Sequence, residues 1–117
     1  MIKSEITRLL RAARYSIQGL LFLLRNERNF IYLLLLIVIT LFLYLGGILD
    51  PLRFFILLIF MVVITGLEIF NTALERTLDL DYQEYHPQVK IIKDITSAAV
   101  FLSLIIFFIL LLIFLFS

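Results

Sequence analysis

Three long apolar stretches constrain this chain more than any other feature: Phe30 to Leu49, Phe54 to Leu74 and Ile95 to Phe116. Each is about 20 residues long, the length at which a helix rising 1.5 Å per residue crosses a hydrocarbon core of about 30 Å. Inside such a core a backbone must satisfy its own N–H and C=O groups, so these stretches predict three transmembrane helices. The rest of the chain leaves little room for a soluble core, because 117 residues amount to one domain at most. A hydrophobic content of 63% and a mean hydropathy of +1.13 also lie outside the range of ordinary globular domains.

Before the first span, Ile2, Ile6, Leu9, Leu10, Ala13, Ile17, Leu20, Leu21 and Leu24 recur at helical spacing. Lys3, Arg8, Arg11, Arg14, Gln18 and Arg25 fall on the opposite side. That layout predicts an amphipathic helix over about 2–25 lying in the headgroup region of an anionic leaflet. The alternative is a helix packed on a soluble core, of which the chain has little. The fold class is therefore an all-α membrane protein with three transmembrane helices and an N-terminal amphipathic surface helix. No cleavable signal peptide is expected, since an Arg-rich helical pattern replaces the short basic and apolar regions of one.

A polar connection, Arg25 to Asn29, joins the surface helix to span one. Gly46 and Gly47 loosen the end of that span, and Asp50-Pro51 supplies an N-cap followed by proline at the first helical position. The turn between spans one and two is thus very short, while spans two and three are separated by a polar stretch from Glu75 to Asp94. Lys and Arg set the orientation. Lys3, Arg8, Arg11, Arg14, Arg25 and Arg28 precede span one and Arg76, Lys90 and Lys93 lie in the later polar stretch, against Arg53 alone at the short turn. The N-terminus and the 75–94 segment should face the cytoplasm and Ser117 the outside of a bacterial cytoplasmic membrane. The net charge of +1 gives no reason to expect a nucleic-acid partner.

Glu68 stands inside span two, where an ionisable side chain costs about 2.5–3.5 kcal/mol on insertion scales and marks a functional site by default. Glu68, Asn71, Glu75 and Asp79 are spaced by three, four and four, so they share one helix face that descends about 16 Å from cytoplasm into membrane. The bland alternative is a polar contact between spans. Lys90, Lys93, Asp94 and Ser97 form a second set along one side of the third helix. A lysine there can be a simple positive-inside anchor. Beside an acidic stripe, however, Lys93-Asp94 suggests a cation for phosphate next to carboxylates for Mg²⁺. Ser97-Ala98-Ala99 also suits close helix packing. The chain has no Cys and a single His, His86, which argues against a zinc hydrolase, and its four glycines form neither a Walker A loop nor a dinucleotide fingerprint. Glu27, between Arg25 and Arg28, reads on its own as a solvated salt bridge.

Taken together, Glu68-Ile69-Phe70-Asn71-Thr72-Ala73-Leu74-Glu75, Asp79, Glu84-Tyr85-His86-Pro87 and Lys93-Asp94 followed by Ser97-Ala98-Ala99-Val100 resemble the prokaryotic diacylglycerol kinase and undecaprenol kinase family. The resemblance covers almost the whole chain, including Ala12 to Gly19 and Asn26 to Phe30. It implies a single membrane kinase domain over residues 1–117 that assembles as a homotrimer, with composite sites at the cytoplasmic interface. It also implies transfer of the γ-phosphate of ATP to a membrane lipid hydroxyl, with Mg²⁺ as cofactor. By matching position, Glu68 would be the general base and Glu27 and Glu75 the Mg²⁺ ligands. Arg8, Tyr15, Glu27, Glu75, Glu84, Tyr85, His86, Lys93 and Asp94 would meet ATP, with Lys93 on its phosphates. Arg8, Glu68, Asn71 and Ser97 would meet the lipid.

Arg14 and Gln18 depart from the residues usual in that family, on the polar side of the surface helix. The 84–93 segment resembles the Gram-positive undecaprenol kinase branch more than the diacylglycerol branch, but ordinary Leu, Ile and Phe side chains do not choose between the two lipids. Two other classes make different demands on the sequence. A non-catalytic membrane subunit should lack one of the acidic positions. A proton-coupled transporter should carry polar groups near the midplane on several spans, whereas beyond its first turn span one offers only Thr40 and Tyr44.

Overall fold

The computed structural model describes residues 1–117 and contains four helices and no strand: α1 (Ile2–Asn26), α2 (Arg28–Leu45), α3 (Pro51–Asp81) and α4 (Pro87–Phe116). The last three are each long and apolar enough to cross a membrane. α3 lies between α2 and α4 and packs against both, while α2 and α4 make no close backbone contact. The shared core comes from all three helices: Leu33 on α2, Phe54, Leu57, Met61 and Ile64 on α3, and Val100 and Phe107 on α4. Leu57, Met61, Ile64 and Phe107 are fully buried. The outward-facing Leu, Ile and Phe side chains are the surface that a bilayer would solvate.

α1 is set apart from this bundle. None of its residues is buried, and its only close backbone contacts are with α2. The molecule measures 49 × 48 × 24 Å. Helices of 30 and 31 residues account for one long dimension, at about 45 Å each, and the projecting α1 supplies the second. The five-residue polar connection expected between α1 and α2 shrinks to one residue. Glu27 is extended (φ −122°, ψ 113°), and helix resumes at Arg28. The Asn26 side chain contributes to the stop by donating to the Phe22 carbonyl at 2.9 Å.

The first membrane helix ends at Leu45, four residues before the end of its apolar run. Gly47 takes a left-handed conformation (φ 79°), so Ile48 N–H donates to Leu43 O at 3.0 Å and Gly47 N–H to Tyr44 O at 3.1 Å. This pairing satisfies carbonyls that a helix end otherwise leaves open and reverses the chain. Leu49 then turns back into the core at 2% exposure. α3 starts where Asp50-Pro51 predicts: the Asp50 carboxylate accepts from Arg53 N–H at 2.8 Å. Replacing Asp50 by alanine should therefore cost about 0.5–2 kcal/mol of stability. Thermal unfolding in detergent should show a lowered midpoint for Asp50→Ala and a nearly native one for Asp50→Asn, which retains the acceptor.

Arg53 does more than face the water at this end. Its Nη1 donates to the Phe114 carbonyl at 3.1 Å, and its guanidinium lies 5.5 Å from the centre of the Phe114 ring. It thereby satisfies an open carbonyl at the end of α4 and ties that end to the start of α3.

At the other end, α3 continues to Asp81 and α4 begins at Pro87. The 75–94 stretch is thus mostly helix, with a connection of only residues 82–86. His86 caps α4, its Nδ1 accepting from Gln88 N–H at 3.2 Å. Both helices therefore carry their charged residues on fixed faces.

Candidate active site

The acidic stripe on α3 faces a groove. Glu68, Asn71 and Glu75 line a cavity of about 330 Å³ together with Asn29, Tyr32, Leu33 and Leu36 of α2 and Ser97, Val100 and Phe101 of α4. Because α2 and α4 make no close backbone contact, α3 forms the floor of this groove and the other two helices its walls. Its composition changes along its length. Polar groups gather toward Glu75, and Leu104 and Phe108 continue it as an apolar slot toward the middle of the bundle.

Glu68 is 6% exposed and accepts one long hydrogen bond, from Asn29 Nδ2 at 3.5 Å. The Glu75 and Glu27 carboxylates are near enough to act on it electrostatically. Asn71, 8% exposed, keeps a buried Oδ1 that no protein group satisfies. An amide oxygen orphaned in this way costs free energy unless a donor reaches it. A hydroxyl lodged in the groove would have the Glu68 carboxylate as an acceptor for its proton.

Glu27 sits at the pivot between α1 and α2. Arg76 reaches it from α3, its Nη2 donating to Glu27 Oε1 at 2.5 Å and its Nε at 3.2 Å. The Arg76 guanidinium also lies 4.7 Å from the centre of the Phe22 ring. No three His, Cys, Asp or Glu side chains converge closely enough to hold a metal ion by themselves.

A second cavity, about 270 Å³, opens in the connection between α3 and α4. Asp79, Tyr82, Glu84, Tyr85, His86, Lys90 and Lys93 line it. Lys93 donates to the Asp79 carboxylate across the connection, whereas Lys90 pairs with Asp94 at 2.7 Å along α4. Asp79 lies one turn beyond Glu75 on α3, a rise of about 6 Å, so one helix face links the groove to the loop cavity.

The candidates thus fall into four places, one of them the α1–α2 pivot, where Glu27 pairs with Arg76. Glu68, Asn71, Glu75 and Ser97 share the groove. Glu84, Tyr85, His86 and Lys93 share the loop cavity, and Asp94 lies beside it, held by Lys90. Arg8 and Tyr15 belong to α1, where Arg8 pairs with Glu5 at 3.1 Å and Tyr15 is exposed, and α1 brings neither to the groove within one copy of the chain. Asn29, which bonds Glu68, and Arg76, which pairs with Glu27, stand outside the residues expected at the site. Arg76 carried one available signal: it follows Glu75 directly and so projects about 100° away from the acidic stripe, toward the α1 side.

A family model described as prokaryotic diacylglycerol kinase matches residues 14–115 of the chain. No curated protein matches it.

Proposed function

The chain belongs to the prokaryotic diacylglycerol kinase family, and from that premise we propose that it moves the γ-phosphate of ATP to the hydroxyl of a membrane lipid at the cytoplasmic membrane face. The observation that carries this reading is the groove. The buried Glu68 carboxylate and the Asn71 side chain, three residues apart on α3, line a cleft that becomes apolar toward the membrane interior. Such a cleft suits a molecule with one hydroxyl and long hydrocarbon chains.

In the proposed reaction Glu68 takes the proton of the lipid hydroxyl while its oxygen bonds to the γ-phosphorus and the bond from that phosphorus to the bridging oxygen of ADP breaks. Asn29 holds Glu68 toward the groove. Asn71 and Ser97 orient the headgroup. Lys93 receives the phosphates in the loop cavity, with Glu84, Tyr85, His86 and Asp94 around the nucleotide. Arg8 and Tyr15 contribute from α1, and a homotrimer would let them do so from a neighbouring copy. Mg²⁺ bound through substrate phosphates takes only one or two protein carboxylates, and Glu27 and Glu75 are hard oxygen donors of that kind. When bound, the ion neutralises charge on the phosphates.

The orientation that fits is a cytoplasmic N-terminus and 82–86 connection, with α1 in the headgroup region of the bacterial cytoplasmic membrane and Ser117 outside. The acceptor is either diacylglycerol, giving phosphatidic acid, or undecaprenol, giving undecaprenyl phosphate. Incubating the purified chain in mixed micelles with γ-labelled ATP, Mg²⁺ and each lipid in turn tests the reading. Label should appear in one extractable lipid phosphate. A chain that labels no lipid and hydrolyses no ATP would instead be a non-catalytic membrane subunit.

A further inference from the structure

Asp79 belongs to the acidic stripe, yet it is separated from Glu68, Asn71 and Glu75. It lines the loop cavity, not the groove, and its carboxylate holds Lys93. The two lysines at this mouth are paired differently. Lys90 bonds Asp94 within its own helix, and both side chains are well exposed, at 60% and 64%. Lys93 instead reaches across the connection to another helix, and its side chain is more enclosed, at 32% exposure. The cation best placed to meet a phosphate chain in this cavity is therefore already neutralised.

The geometry points to Asp79 as a specificity-determining residue: it is the resident counter-ion of Lys93, which an incoming polyphosphate must displace. This inference rests on the kinase reading for the identity of the ligand. Its physical content is competition for one ammonium. A partly exposed ion pair exchanges partners readily, so an anion of several charges can take Lys93 from a single carboxylate. An anion of one or two charges gains less and also faces repulsion from Asp79 itself. Asp79 thus sets a threshold of anion charge for the cavity and weakens the binding of every anion below what Lys93 alone would give. Glu84 adds a second negative charge to the same wall, while Lys90 is held by Asp94 and cannot stand in for Lys93 without leaving that partner.

The test uses the full chain in detergent and reads binding apart from turnover. Inorganic tripolyphosphate, titrated calorimetrically without lipid, should bind Asp79→Asn about two- to fivefold more tightly than wild type, the range expected for release of one exposed pair. Asp79→Ser should do the same, and Asp79→Glu should stay near wild type because the counter-ion is kept. In a Lys93→Met background, Asp79→Asn should produce no further tightening. In the lipid assay the change should fall mainly on KM for ATP. Weaker or unchanged tripolyphosphate binding in both neutral variants would overturn the assignment, as would tripolyphosphate that binds no form of the chain. Failure of the wild type to phosphorylate any lipid would instead overturn the kinase reading, and the titration distinguishes the two.

Discussion

Glu68→Gln should reduce lipid phosphorylation by about 10²- to 10⁴-fold, the usual contribution of a positioned general base. Glutamine keeps the size of the side chain and can still accept the 3.5 Å hydrogen bond from the Asn29 amide. What it loses is the capacity to take up a proton. Binding of ATP should therefore remain within about twofold of wild type, since the loop cavity is lined by a different set of side chains. The helical assembly should unfold at a nearly unchanged temperature. Measured together, initial rates, nucleotide titration and thermal unfolding separate the roles. Full turnover in this variant would remove Glu68 as the base, and loss of both turnover and folding would make it a packing residue between spans.

The second large effect concerns metal. Glu75→Gln should raise the Mg²⁺ concentration for half-maximal activity by about tenfold or more, because in the proposed site the ion would lose one of its two protein carboxylates. Glu75 is well suited to show this cleanly. It lines the groove, is half-buried and makes no ion pair, so its replacement frees no partner to rearrange. Glu27 is less clean, since its removal also releases Arg76 from a contact that joins α3 to the pivot. A Mg²⁺ titration of lipid phosphorylation checks the prediction, and an unchanged midpoint would cancel the role assigned to Glu75.

Much of this arrangement is legible in the residue order because hydrocarbon leaves the backbone few choices. Three apolar stretches of spanning length specify three helices, and Asp50-Pro51 marks the start of the second to the residue. The shared face of Glu68, Asn71 and Glu75 follows from helical period alone, and these residues do line one groove. Ends were harder. Apolar composition runs on to Leu49, but the left-handed Gly47 lets the carbonyls of Leu43 and Tyr44 find partners four residues earlier. The polar 75–94 stretch looks like a loop by composition, yet it continues both helices, because charged residues on an exposed helix face cost nothing there. The partners Asn29, Arg76 and Asp79 were the least legible. Each acts across helices, at separations of 39, 49 and 14 residues, and no local period reports a contact of that kind.

Glu27 is the single non-helical residue between α1 and α2. One pair of backbone dihedrals therefore sets the heading of a 25-residue rod about 38 Å long. A turn of 10° at that hinge swings the far tip through about 7 Å, more than the height of a helical turn. The Arg76 guanidinium, gripping both the hinge carboxylate and the neighbouring Phe22 ring, acts as the brake on that swing. A side chain on the rod is thus aimed by a charge on a different helix, far along the chain from the rod itself.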